Sequence, residues 1–278
     1  MLRGRGVSVS YGVQRIVNDV DIELVSGGVT ALIGPNGSGK TTLLRGLSRL
    51  AHLEGEVSLN EVDCSTISPR KFAKRLTILA QQRPTPTGLT AVEVVELGRH
   101  PHRARLQRSD PGGAEAVEWA LARTGLLELA HRPVDQLSGG QLQRVWLAAC
   151  LAQQTEVLLL DEPTTFLDLK HQMSLLDLIR DLADLHSLTI GVVLHDLEQA
   201  ADIADQVVLL QDGAVVAAGS PAQVMTSERL SEVYGVPINV APLPGGGLAV
   251  RAQRAGRPSH SQMNLFTQQA MDALPVPA

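Results

Sequence analysis

The chain has 278 residues, of which 44% are hydrophobic and 19% charged, with a formal net charge of -5. That is the composition of an ordinary soluble globular protein, long enough for one large domain or two small ones. It gives no basis for general affinity for nucleic acid or anionic lipid. Cys64 and Cys150 lie far apart with no CxxC or Cys/His cluster around them, so they read as free thiols in a reducing compartment. No apolar run approaches the roughly eighteen residues of a membrane span. Met1 to Gly6 carry no hydrophobic signal region. A cytosolic chain is expected, with any membrane role arriving through a partner.

In chain order, residues 2 to 25 alternate apolar and polar through Val7, Val9, Val17, Val20, Ile22 and Leu24. This predicts two antiparallel strands around the turn Tyr11-Gly12-Val13-Gln14. Val29 to Ile33 reads as a buried strand running into a glycine-rich loop, and Thr42 to Leu47 as the helix leaving it. Further strands are expected at Gly55 to Asn60 and at Leu76 to Ala80, the latter followed by Gln81-Gln82 and the turn cluster Pro84 to Gly88. From Thr90 to Ala149 the period becomes helical, which reads as an insertion into an α/β core. The basic run Arg99 to Arg108, with His100 and His102, is expected between helices as a solvated or partner-facing loop. No third ligand at useful spacing makes those histidines a metal site. The α/β pattern resumes with a strand at Val157 to Leu160, continuously apolar and so covered on both faces. A helix over about Leu169 to His186 follows, then strand Leu188 to Leu194, helix Leu197 to Ala204 and strand Gln206 to Gln211. Asp212-Gly213 is a hairpin turn leading to Val215 to Ala218, and one last helix is expected over about Pro221 to Tyr234. Residues 251–278 are polar and weakly periodic and are expected to be poorly ordered or loosely docked. No internal repeat is visible.

The loop Gly34-Pro35-Asn36-Gly37-Ser38-Gly39-Lys40-Thr41-Thr42 fits the phosphate-binding pattern G-x-x-x-x-G-K-[ST]. Its glycines let successive N–H groups turn inward on phosphate oxygens. Lys40 supplies a charge for the β- and γ-phosphates, and the Thr41 hydroxyl suits the coordination shell of Mg²⁺. The strand before the loop and the helix after it, with its dipole toward the phosphates, complete the context. Asp161 and Glu162 stand at the C-terminal end of a buried strand, where ligand sites of open α/β sheets lie. Asp161 is suited to hold Mg²⁺ and Glu162 to polarise an attacking water, a division of labour that points to hydrolysis rather than simple binding. Ser138-Gly139-Gly140-Gln141 opens a long helix and offers a second anion site. Tyr11 reads either as a strand-end ring covering the core or as a flat surface for a nucleotide base.

These motifs, in this order with Gln81, Leu167-Asp168 and His195, make residues 1 to 245 resemble the ATP-binding subunits of ABC transporters; Leu137 to Gln141 is the most specific element. The resemblance implies an α/β fold with a P-loop NTPase core, an antiparallel β subdomain and an inserted α-helical subdomain (about 83–150) within an ATP-binding domain of residues 1–250. It also implies ATP and Mg²⁺ as ligands and a head-to-tail homodimer, each ATP lying between the phosphate loop of one copy and the signature of the other. One copy of each motif per chain then requires two chains. By the same resemblance Tyr11 stacks on adenine, and Gln81 reaches Mg²⁺ and the attacking water, Gln82 being the adjacent candidate. Asp168 lies in the loop crossing to the other subunit, and His195 contacts the γ-phosphate. Glu162, His195, Gln81 and Lys40 are thus the implied catalytic set, with Thr41, Gln81 and Asp161 around the metal.

A narrower resemblance, to the importer branch serving iron–siderophores, haem and cobalamin, rests on five stretches. They are Leu97 to His102, Thr164 to Asp168 with Phe166, His171-Gln172, His195 to Ala200, and Val233-Tyr234-Gly235. It implies an energy-coupling subunit at the cytoplasmic face of the cell membrane, acting on an integral membrane permease and indirectly with a solute-binding protein, without nucleic acid. Ferric siderophore is the favoured solute. A soluble ABC ATPase of iron–sulfur cluster assembly stands as the alternative, since it too is a single soluble unit.

Overall fold

The computed structural model describes residues 1–81, 83, 86–103, 110–165, 167–244 and 247–253. Gln82, Phe166 and the tail from 254 onward therefore lie outside the described residues. Strands β1 (Leu2–Tyr11) and β2 (Gln14–Glu23) pair antiparallel, with Tyr11 opposite Gln14 across the expected turn. β3 (Val29–Ile33) is buried at every position and runs into the glycine-rich loop, from which α1 (Lys40–Leu47) departs. β4 (Leu53–Leu59) and the short β5 (Val62–Asp63) complete an antiparallel sheet of order β2-β1-β4-β5. After α2 (Pro69–Ala73) and β6 (Leu76–Leu79) come three helices, α3 (Ala91–Leu97), α4 (Gly113–Arg123) and α5 (Gly139–Ala152).

The α/β alternation then resumes with β7 (Val157–Asp161), α6 (Leu169–His186), β8 (Thr189–Val193), α7 (Leu197–Ile203), β9 (Gln206–Gln211) and β10 (Ala214–Gly219). The second sheet has the order β10-β9-β3-β8-β7-β6. Its β3, β6, β7, β8 and β9 run parallel, and β10 is an antiparallel edge.

The period of two along β7 explains how one strand serves two cores. Leu158 and Leu160 face a core shared with Val145 of α5 and Leu176 of α6, whereas Val157 and Leu159 face one shared with Leu43 and Leu47 of α1. Each such leucine stabilises the fold by about 1.5–3 kcal/mol on burial. On α6 the buried residues Leu175, Leu176, Ile179, Leu182 and Ala183 fall on one stripe, as a 3.6-residue period requires. Helices α3 and α5 cross so closely that a Cβ on Gly98 would run into the Ala149 carbonyl.

Three local expectations are corrected. Arg99, expected in a solvated loop, is buried at 3% exposure. It donates to both Asp110 carboxylate oxygens, the Ala152 carbonyl and Gln154 Oε1, each at 2.8 Å. Its neighbour His102 places Nε2 2.8 Å from the Gln153 carbonyl, so this segment is fastened to the end of α5. The single helix expected over 221–234 is two, α8 (Pro221–Val224) and α9 (Ser227–Tyr234), because Thr226 caps the second by accepting from the Arg229 N–H at 3.3 Å. Beyond α9, an unanticipated hairpin forms between β11 (Ile238–Pro242) and β12 (Leu248–Ala252), pairing Arg251 with Asn239 and Ala252 with Ile238. The Val250 N–H donates to Glu198 Oε1 at 3.0 Å and so ties the hairpin to α7.

Candidate functional site

Because β3, β8 and β7 are neighbours in one parallel sheet, the chain leaves all three at the same edge. The loops bearing Lys40, His195 and Glu162 therefore converge. They enclose a cleft of about 150 Å³ lined by Asn36, Gly37, Lys40, Thr41, Glu162 and His195, with Gly39, Thr42 and Ile16 beside them. Gly34 has φ 146° and packs so closely on the Leu210 backbone that a Cβ would collide with it, which fixes glycine at the start of the loop.

Lys40 is buried at 5% exposure, and its Nζ donates to the Gly34 carbonyl at 2.8 Å, the Pro35 carbonyl at 2.9 Å and Ser38 Oγ at 3.4 Å. Burial pushes its ammonium below the usual lysine range, while Glu162 and Asp161 oppose that shift. The Thr41 hydroxyl donates to Asp161 Oδ1 at 2.7 Å. Asp161 is 1% exposed, and its Oδ2 is buried with no hydrogen-bond partner among the described residues. Burial raises its carboxyl above the usual range, the Thr41 hydrogen bond opposes this, and Glu162 adds to it. An unpartnered carboxylate oxygen beside a hydroxyl is a hard-donor set that fits Mg²⁺.

Glu162 adopts φ 51°, a left-handed conformation uncommon outside glycine. It turns the carboxylate back over the cleft, where Oε1 meets His195 Nε2 at 2.5 Å and Oε2 accepts from Gln81 Nε2 at 2.5 Å. The Thr165 hydroxyl adds a longer contact to Oε2 at 3.3 Å. Gln81, Glu162 and His195, read from three separate stretches of sequence, are thus in direct contact.

The remaining candidates lie outside this cleft in the same chain. Tyr11 is 48% exposed at the β1–β2 turn, so it does not cover the core. Ser138 caps α5, its Oγ accepting from the Gln141 N–H at 3.3 Å while Gln141 Oε1 accepts from the Ser138 N–H at 2.9 Å. Gly139 and Gly140 form the first turn. Asp168 caps α6 through the His171 N–H at 2.9 Å and meets His171 Nδ1 at 2.6 Å, bonds that hold its carboxyl below the usual range. A larger cavity of about 1010 Å³ lies between α2, α3 and α4; Arg99 and His100 of the Leu97 to His102 stretch line it, and none of the candidate catalytic, nucleotide or metal residues does. Ile16 and Gln143, whose Nε2 donates to the Pro163 carbonyl at 2.9 Å, were not singled out from sequence, and Thr165 was named only within the Thr164 to Asp168 stretch, without a role at the site.

A family model described as ABC transporter matches residues 17–165. The chain is 44% identical over 244 residues to the achromobactin transport ATP-binding protein CbrD of Dickeya dadantii (strain 3937), covering 87% of this chain and 91% of CbrD. It is 42% identical over 238 residues to the ferric enterobactin transport ATP-binding protein FepC of Escherichia coli (strain K12), covering 84% and 87% respectively. The chain belongs to the ABC transporter family. Among solved structures, the dimeric ATP-binding cassette MJ0796 bound to ADP and Pi in a post-hydrolysis state superposes with a TM-score of 0.69 at 29% identity, covering 80% of this chain and 99% of that one. The fold is that of an ABC ATPase, as the motif order implied, and the chain is an ATP-binding ATPase subunit of the family. Among the described residues no helix is long and apolar enough to cross a membrane.

Proposed function

We propose that this chain is the energy-coupling subunit of an ABC importer for ferric siderophore, with haem or cobalamin as the related solutes. It works as a homodimer on an integral membrane permease at the cytoplasmic face of the cell membrane, and indirectly with a solute-binding protein. The observation that carries the hydrolytic part is Glu162, gripped by Gln81 and His195 beside the Lys40 loop. A protein that only bound nucleotide would have no use for a second, held carboxylate next to Asp161. The solute class is supported by relatives named for achromobactin and ferric enterobactin transport.

In this reading residues 1–250 are the ATP-binding domain, with the helical subdomain inserted at about 83–150, and residues 251–278 are a poorly ordered or loosely docked tail, apart from Arg251 and Ala252, which complete β12. The N–H groups of Gly37 to Thr42 bind the phosphates, and Lys40 Nζ leaves its loop carbonyl partners for them. Thr41 Oγ1 and Asp161, with Gln81 within reach, hold Mg²⁺, which when bound neutralises charge on the β- and γ-phosphate oxygens. Glu162 accepts the proton of the attacking water, and His195 orients Glu162 and faces the γ-phosphate. Tyr11 stacks on the base. Ser138, Gly139, Gly140 and Gln141 of a second copy close over the nucleotide, with Asp168 in the crossing loop.

The test is a gentle-detergent pull-down from native membranes, followed by radioactive-iron siderophore uptake with and without the protein. Recovery of a multi-span permease and loss of uptake are expected. Recovery of only soluble partners, as in iron–sulfur assembly, would overturn the transport reading while leaving the ATPase chemistry standing.

A further inference from the structure

Gln81, His195 and Thr165 hold the Glu162 carboxylate, and the segments carrying the last two are joined to each other. Thr165 belongs to the loop running from Glu162 to the head of α6, and His195 stands one residue before the cap of α7. Between them lies Gln172, near the start of α6. Its Nε2 donates to the Leu167 carbonyl at 3.1 Å and reaches the Thr164 carbonyl at 3.4 Å. Its Oε1 accepts from Gln199 Nε2 at 3.2 Å. Gln199 lies in the first turn of α7, where its backbone N–H donates to the Asp196 carboxylate at 3.1 Å.

The acceptors fix the orientation of both amides. Two loop carbonyls on one side of Gln172 require its NH2 there, so its oxygen turns to Gln199 and demands a donor. Gln199 must then present its own NH2, and its Oε1 is left buried with no hydrogen-bond partner among the described residues. A buried acceptor left unpaired costs about 1–3 kcal/mol, which an apolar side chain of the same length would not incur. Bulk alone therefore does not account for an amide at 199, whereas the bond to Gln172 does. A second tie between the two helices, from Arg180 Nη1 to the Ile203 carbonyl at 2.9 Å, lies at the end of α7 away from His195.

We propose that Gln172 and Gln199 are a pair of positioning residues: they fix the loop after Glu162 against the helix after His195, so that Thr165 and His195 hold the Glu162 carboxylate in one orientation. The inference rests on the role of base given to Glu162 above. Neither glutamine lines the cleft, and the bonds of Lys40 and Thr41 do not involve them. Breaking the pair should therefore leave phosphate binding in place and slow the chemical step, since a displacement of about 1 Å at the reacting groups can cost about a hundredfold in rate.

The experiment measures phosphate release against MgATP concentration for wild type, Gln172→Leu, Gln199→Leu and the double variant, and for Gln199→Leu added to Glu162→Gln. Each single variant is expected to lower kcat by about tenfold while KM changes by less than about threefold. The double variant is expected to be no slower than the slower single one, because the two ends of one link act as a unit. On Glu162→Gln, where no base remains to be positioned, Gln199→Leu is expected to cost less than about twofold; a general weakening of the fold would cost the same in both backgrounds. An unchanged kcat, a rise in KM alone, losses that multiply in the double variant, or the full loss on Glu162→Gln would each overturn the proposal. Gln199→Leu leaves both loop carbonyls their bonds to Gln172, so its two measurements decide the matter even where Gln172→Leu does not fold. Glu162→Gln turning over as wild type does would instead overturn the assignment of the base, and the inference with it.

Discussion

Replacing Glu162 by glutamine changes one atom and one charge where Gln81, His195 and Thr165 meet. The carboxylate now accepts from Gln81 at 2.5 Å and contacts His195 at 2.5 Å. An amide there keeps one acceptor oxygen and turns one donor toward a neighbour, and Gln81 can flip its own amide to suit. The ground-state loss is then about one hydrogen bond, roughly 1 kcal/mol, which bounds the change in ATP affinity at about fivefold. Losing the base in the transition state costs about 10²–10⁴ in rate, or roughly 2.7–5.4 kcal/mol. The second quantity is the larger. Lys40, Thr41 and Asp161, which hold phosphate and metal in the proposed reading, keep their contacts. Glu162→Gln should therefore bind MgATP nearly as wild type does and release phosphate at least a hundredfold more slowly, as measured by equilibrium binding and by phosphate release at saturating MgATP. Equal turnover would remove Glu162 from the role of base, and a parallel loss of binding and turnover would assign it to nucleotide affinity instead.

Lys40→Ala empties the centre of the phosphate loop and should weaken nucleotide binding itself, so an unchanged Kd for MgATP would contradict the assignment. Asp110→Ala strands the buried Arg99 guanidinium and should lower unfolding stability by about 3–5 kcal/mol in chemical denaturation; a change below 1 kcal/mol would show that the network relaxes freely. The same pair carries a pH signature. Arg99 holds the Asp110 carboxyl below its ordinary value of 3.8, so the folded pKa is depressed. Its contribution is complete above that value and is lost as pH falls through the lower folded one. Asp110→Ala should flatten that acid limb of the stability profile, and an unchanged limb would refute the linkage. Finally, burial pushes the Cys150 thiol up to about 11 and also raises Cys64. Both should resist a maleimide at pH 8 in the native protein and react promptly once it is denatured; equal rates would show that neither thiol is protected by the fold.

The phosphate loop was legible because its chemistry is local. A glycine at 34 is imposed by the Leu210 backbone and a positive φ, and Lys40 and Thr41 follow at fixed spacing on the helix that leaves the loop. The continuous apolar run Val157 to Leu160 likewise announced a strand covered on both faces, and the sheet order then carried Glu162, His195 and Gln81 to one place. Arginines 83 and 99 were not legible in the same way. Both stand beside turn residues or other cations, where sequence reads solvent. What buries Arg99 and half-buries Arg83 is the crossing of β6 and α3 with α5, a contact between segments about fifty residues or more apart. The same crossing decides their opposite fates. Asp110 returns to Arg99 because α4 starts beside it, whereas among the described residues no carboxylate bonds Arg83. The hairpin after Tyr234 escaped for a related reason: its strands are five residues each, and although Ile238, Val240, Leu248 and Val250 alternate along them, what fixes the pair is packing on the larger core and docking on Glu198 of α7. That docking has a functional corollary. Asp196, next to His195, caps α7 by accepting from the Glu198 and Gln199 N–H groups at 2.8 and 3.1 Å. The histidine that grips Glu162 therefore sits at the head of a short helix whose first turn is held by the C-terminal hairpin, and its position over the cleft depends on a part of the chain that carries none of the motifs.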